Sequence, residues 1–364
     1  MDLQQTCVEN NQRLGPHLKS IAEGQMTDAL VPFAKAYLGL YYQLDNSVPP
    51  RLRVASLASI QLADAIMQGM QSLLQEGSVA SPEQIGRNYL DGEGQGLGYV
   101  LLAAVEEYCE EDSHRVLLLR DEVITALLCY QFLRGSYQTL AWHEQILHQR
   151  PLLVIDALEQ FWAPFKHLKK DFLPGLQTLI RGPRYTHLAS PLALSLLETW
   201  PYSDVYTLRR LMQWALCADN RDHLLFIAEQ RIEALLVSDI RRKVYWLATA
   251  FIIAPQGHTA ALSQYIGRSK EKVLPLLDYV LALLKDPAIE QHLSALDLAR
   301  LLRIIAPVFA RNEGRAGQLD DNSSKVLWLF EQLGRYPEDE LAAAVSWLKS
   351  VRVMRCYADI LNSL

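Results

Sequence analysis

Basic and aromatic side chains interleave between Lys166 and His187. Lys166, Lys169, Lys170, Arg181 and Arg184 stand against one acid, Asp171, with Phe165, Phe172, Tyr185 and two histidines among them. Such a mixture suits a phosphate-bearing ligand or stacked single-stranded bases. It also suits a solvated face whose lysine stems cover apolar surface. A second cationic group, Arg241-Arg242-Lys243, opens a helix, where positive charge meets the helix dipole unfavourably. A placement that is mildly wasteful for stability hints at a partner contact. The candidate interaction surface is therefore Lys166, Lys169, Lys170, Arg181, Arg184, Tyr185, Arg241 and Arg242.

Other chemistry finds less support. The phosphate-cradling string GxxxxGK[ST] does not occur. Gly92, Gly94, Gly96 and Gly98 precede a helix, but Asp91 and Glu93 would repel phosphate and no strand leads in, so a flexible loop is expected. Trp142 to His148, WHEQILH, resembles a zinc-protease helix only in passing. Its two histidines lie five positions apart, about 500° of helix, so their imidazoles diverge by some 140° and read as a surface pair. No nucleophile elbow of the form GxSxG occurs. The carboxylates Glu106, Glu107, Glu110, Glu111 and Asp112 read as a solvated helix end, and Asp320, Asp321 and Asn322 as caps for the helix that follows. Five scattered cysteines (Cys7, Cys109, Cys129, Cys217, Cys356) with no CxxC predict buried free thiols in a reducing compartment. No catalytic, metal or cofactor residue is assigned, and no enzyme activity is expected.

The elements that position these residues follow from leucine. The chain of 364 residues holds 64 Leu against 38 Val plus Ile and 10 Thr, with 34 Gly plus Pro. Leu loses little rotamer freedom in a helix, whereas β-branched residues favour strands, so the chain is expected to be all-α without significant β-sheet. Apolar stripes mark helices over Asp121–Arg134, Leu152–Phe161, Asp204–Ala218, Arg221–Val237, Ile240–Ala254 and Lys270–Lys285, among others. Pro164, Pro174, Pro183 and Pro191 break the pattern into short pieces. They divide the chain into an N-terminal helical array (1–163), a basic bend (164–191) and a C-terminal helical-repeat array (192–364). Two successive helices take roughly 35 to 45 residues, the size of a HEAT or armadillo unit. Wide stripes with no single central helix favour an α-solenoid of antiparallel helix pairs over a compact helical globule.

Formal net charge is −6, which leaves no global polycation for nucleic acid. The first fifteen residues carry neither the basic nor the apolar region of a signal peptide. The longest uncharged apolar run, Val244 to Pro255, is 12 residues against the roughly 18 of a membrane span. A soluble, cytoplasmic protein with no membrane partner is the expectation.

One half of the chain carries a resemblance. Arg231 to Pro255, RIEALLVSDIRRKVYWLATAFIIAP, and Gln318 to Leu364, with its Pro337-Glu338 helix start, resemble the helical-repeat region downstream of the NTPase module in large bacterial NACHT-type (STAND) proteins. It covers about residues 190–364, and the Walker motifs of that family are missing here. A C-terminal piece of a larger chain and a stand-alone helical protein of the same lineage both fit, and the ending at Leu364 with no C-cap glycine favours the former. The resemblance implies a sensor or autoinhibitory scaffold in antiviral defence, partnered by a protein trigger or a neighbouring NTPase module. The alternative is a nucleic-acid or anionic-ligand binder using residues 166–187.

Overall fold

Leucine at helical spacing fixes local structure, and burying one stripe of each helix fixes packing. The computed structural model describes residues 3–41, 43–135, 140–180, 185–200, 203–217, 220–235, 239–285, 293–309, 321–351, 354 and 357–364. Among these the protein is all-α, with no strand. No helix is long and apolar enough to cross a membrane among the described residues. The chain divides into two compact units, Met1–Leu188 and Ala189–Leu364.

The first unit is built from α1 (Leu3–Leu14), α2 (Leu18–Ala22), α3 (Thr27–Tyr37), α4 (Pro50–Ala55), α5 (Ile60–Glu76), α6 (Pro82–Leu90), α7 (Gly96–Tyr108), α8 (Asp121–Arg134), α9 (Ala141–Gln149), α10 (Pro151–His167) and α11 (Leu176–Ile180). The sequence pattern suggests one helix from Leu52 to Gln75, yet Ser59 ends that continuity by capping α5, its hydroxyl accepting from Leu62 N at 3.4 Å. Ser81 caps α6 in the same way, with Pro82 in the first turn. Gly96 and Gly98, expected in a loop, are helical in α7. A Cβ at Gly98 would sit 2.4 Å from the Tyr130 ring, so glycine lets α7 approach α8. Every residue from Val123 to Phe132 of α8 is buried, and α6, α7, α9 and α10 pack around it. This enclosed helix departs from the expectation that no helix is central.

The proline-rich stretch also differs from its expected form. Helix α10 runs through Pro164 to His167, and Pro191 lies inside α12 (Thr186–Thr199). Proline removes one helical donor, so the carbonyl four residues back loses its partner. Those carbonyls belong to Gln160 and His187, both exposed, where water can serve them. Beyond α10, the fully buried Trp162 donates its indole N–H to Pro174 O at 2.9 Å and pins the chain between α10 and α11.

The second unit continues with α13 (Val205–Leu216), α14 (Arg221–Ala234), α15 (Ile240–Ile253), α16 (Pro255–Ile266), α17 (Lys270–Leu284), α18 (Ala295–Ile305), α19 (Asp321–Leu333), α20 (Glu338–Ser350) and α21 (Ala358–Ser363). Helix α16 has only Leu262 and Ile266 buried, a stripe too thin to stand out in sequence. From α13 to α16 and from α17 to α19 helices pack on their chain neighbours, and several also pack on the helix two places along. Thus α13, α15, α17 and α19 form one row, and α16, α18 and α20 another. Trp246 is buried in α15, whose residues Val244–Ile252 are all interior.

Candidate functional site

The basic bend of the first unit spends most of its special side chains on structure. Phe165 is buried against Phe161 and Tyr89, and Phe172 stays half-exposed. Tyr185 is buried, which removes it from the exposed surface expected of it; its hydroxyl donates to Glu144 Oε1. Lys166 is half-buried, and burial pushes its ammonium below the ordinary lysine value. Lys169 and Lys170 are exposed, Lys169 at a φ of 55°. Arg181 and Arg184 lie outside the described residues. Beside this stretch a cleft of about 610 Å³ opens between α6 and α10, lined by the Glu83–Arg87 ion pair, Asp91, Pro164, His167 and Leu168. Two carboxylates there face one arginine, so the cleft carries no cationic excess.

Several polar residues sit elsewhere than the sequence suggests. The expected surface pair of histidines splits. His143 is enclosed between Phe132 and Trp142, and burial lowers its pKa to about 4. His148 pairs with Glu144 at 3.3 Å and stacks on His187 at 5.1 Å. Glu144, His148, Tyr185 and His187 form a polar cluster that no spacing rule would find, because α9 and α12 meet there only in the fold. The acidic end of α7 is likewise not all solvated. Glu107 accepts from Tyr37 OH at 2.9 Å and from Arg51, and Glu106 pairs with Arg134 at 2.9 Å while burial raises its pKa. Glu110, Glu111 and Asp112 remain exposed. Cys109 and Cys129 are buried thiols, whereas Cys7 and Cys217 are thiols left partly exposed; Cys356 lies outside the described residues, as does Asp320.

The second cationic group divides. Arg242 faces inward, donating to Ser203 O and pairing with Asp239 at 3.1 Å, so it ties the lead-in of α13 to α15. Lys243 reaches over the Tyr265 ring at 5.6 Å. Arg241, one position earlier, is exposed and lines a groove of about 430 Å³ in the second unit.

That groove is built by one row of helices. Val205, Tyr206 and Arg209 come from α13, Arg241 and Tyr245 from α15, Leu274, Pro275 and Asp278 from α17, and Asn322 and Lys325 from α19. The Arg209 guanidinium lies 5.5 Å from the centre of the Tyr206 ring, a cation–π contact. Its Nε is buried and has no hydrogen-bond partner among the described residues. Tyr245 stacks on Tyr279 at 4.9 Å, and the Tyr279 hydroxyl shares a hydrogen bond of 2.6 Å with Thr249. Burial raises the Tyr245 pKa, opposed by Arg209 and Arg241, so both guanidinium groups act on that phenol. Lys325 is shared by Asp321 at 2.7 Å and Asp278 at 3.8 Å. Among the described residues no group of three His, Cys, Asp or Glu is placed to hold a metal ion.

These features define an all-α protein with a basic, tyrosine-lined groove. No protein family, curated protein or solved structure matches the chain.

Proposed function

We propose that this protein is a non-catalytic helical-repeat scaffold that recognises a protein partner through its second unit. The observation that carries this reading is the two-row packing from α13 to α20. Alternate helices there present their N-terminal halves to one shared groove, the arrangement expected of stacked antiparallel helix pairs. The groove lining contains no histidine or cysteine, and its ionisable groups form no nucleophile–base pair, which favours binding over chemistry. A cytoplasmic role in bacterial antiviral defence, beside an NTPase module, rests on the resemblance of residues 190–364 alone.

Crosslinking in the native host tests the reading. Protein–protein and ultraviolet protein–nucleic acid crosslinks are formed separately, and the chain is purified under denaturing conditions. A defined protein crosslinked in amounts comparable with the chain is the expected result. Nucleic acid as the dominant adduct would overturn it. Calorimetry with ATP should show no saturable binding in the micromolar range.

A further inference from the structure

The groove between α13, α15, α17 and α19 has an uneven charge pattern. Its lining carries three cations, Arg209, Arg241 and Lys325, against one carboxylate, Asp278. Lys325 is already matched by Asp278 and Asp321. Arg209 and Arg241 have no acidic partner among the described residues. Arginine's fork suits a two-oxygen acceptor, which a carboxylate or a phosphate supplies.

The remaining lining decides between classes of ligand. A nucleic-acid backbone is uniformly anionic and would meet Asp278 within the same groove. Leu274, only partly buried, offers apolar surface, which a sugar-phosphate chain does not use, whereas Pro275 beside it is buried. Asn322 supplies an amide donor and acceptor suited to peptide backbone, and the exposed Tyr206 offers a flat apolar face with a polar tip. A volume of about 430 Å³ is within the range of small-ligand sites and is suited to a few residues rather than a folded domain.

We propose that this groove binds a short segment of a partner protein carrying an acidic side chain for Arg209 and Arg241 and a neighbouring apolar side chain for Leu274 and the Tyr206 ring. The proposal rests on the scaffold reading and adds the address and the chemistry of the partner. It also explains why Arg241 stands in the first turn of α15, where a cation is unfavourable to the helix.

The test pans a displayed library of random dodecapeptides on the full chain. Enriched peptides should share an Asp or Glu close to a large apolar residue. A fluorescent copy of the most enriched one should bind the wild-type chain. Arg241→Glu should weaken it at least about tenfold, and Arg241→Lys should weaken it less. Arg241 is exposed, so both variants should keep the wild-type circular dichroism spectrum and melt no earlier than wild type; Tyr206→Ala is a second variant that leaves charge unchanged and should also weaken binding. Labelled oligothymidylate of twelve nucleotides is the competing probe.

Peptides that bind with no dependence on Arg241 and Tyr206 would overturn the groove assignment while leaving the scaffold reading in place. No enrichment, together with Arg241-dependent binding of the oligonucleotide, would overturn both.

Discussion

The bend of the first unit and the groove of the second start from similar residues and end with different properties. Both present arginine or lysine near tyrosine or phenylalanine in the sequence. In the bend, Phe165 and Tyr185 are absorbed into the interior and Lys166 is drawn partly after them. In the groove, Tyr206 stays exposed under Arg209, and Arg241 stands free of ion pairs among the described residues. The difference teaches that a charged stretch keeps an open aromatic surface only where its aromatic neighbours are left over from core packing. In the groove Tyr206 shares α13 with Arg209, but Arg241 reaches them only through packing between alternate helices, which sequence proximity cannot reveal.

The largest expected effect concerns what holds the bend. Trp162→Ala removes a fully buried indole and its hydrogen bond to Pro174, and should cost about 3 to 5 kcal/mol in urea unfolding. An unchanged midpoint would mean that the bend is not pinned and that its residues are free to serve a partner. Trp246→Ala should cost a similar amount, about 3 to 5 kcal/mol, because it empties the interior beneath α15.

Acid should separate the two units next. His143 has a folded pKa of about 4 against an ordinary 6.5, caused by burial. As pH falls below 6.5 the unfolded chain takes up the proton first. The stability is therefore complete above 6.5 and is lost progressively as pH falls towards 4, by about 3 kcal/mol in total. Hydrogen exchange at falling pH should show α9 losing protection before α15, and His143→Leu should flatten this pH dependence. Equal loss in both helices would remove the acid-sensitive character assigned to the first unit.

Two smaller effects sharpen the comparison. Arg241→Glu should stabilise the chain by about 0.3 to 1 kcal/mol, because an acid suits the first turn of a helix, while it weakens peptide binding. A gain in stability joined to a loss in binding would identify a residue kept for its partner. Lys169→Glu and Lys170→Glu should each change stability by no more than about 0.5 kcal/mol and leave binding of the selected peptide unaltered. A loss of binding in these variants would move the working surface back to the bend.

Much of the fold was legible from helical spacing. Asp121–Arg134 was readable to the residue, because acids open its apolar run and Gly135 closes it, and Ser81-Pro82 marked the start of α6. Helix α16 was missed because Gly257 and a thin apolar stripe give little periodicity. Pro164 and Pro191 misled, since a proline over an exposed carbonyl bends no rule strongly enough to end a helix. Of the site, Arg241 was legible from its wasteful position at a helix start. Its partners Tyr206, Arg209 and Lys325 were not, because they are brought to it by packing between alternate helices. Tyr185 and His143 were misplaced because residue type alone does not say which face of a helix the core will claim.

Charge exchange across the groove tests the central claim most directly. The selected acidic peptide and a copy with its acid replaced by lysine are titrated, by fluorescence anisotropy, into the wild-type chain and into Arg241→Glu. The account predicts that wild type prefers the acidic peptide, and that Arg241→Glu weakens it while recovering affinity for the lysine copy. Equal affinities of the two chains for both peptides would contradict it.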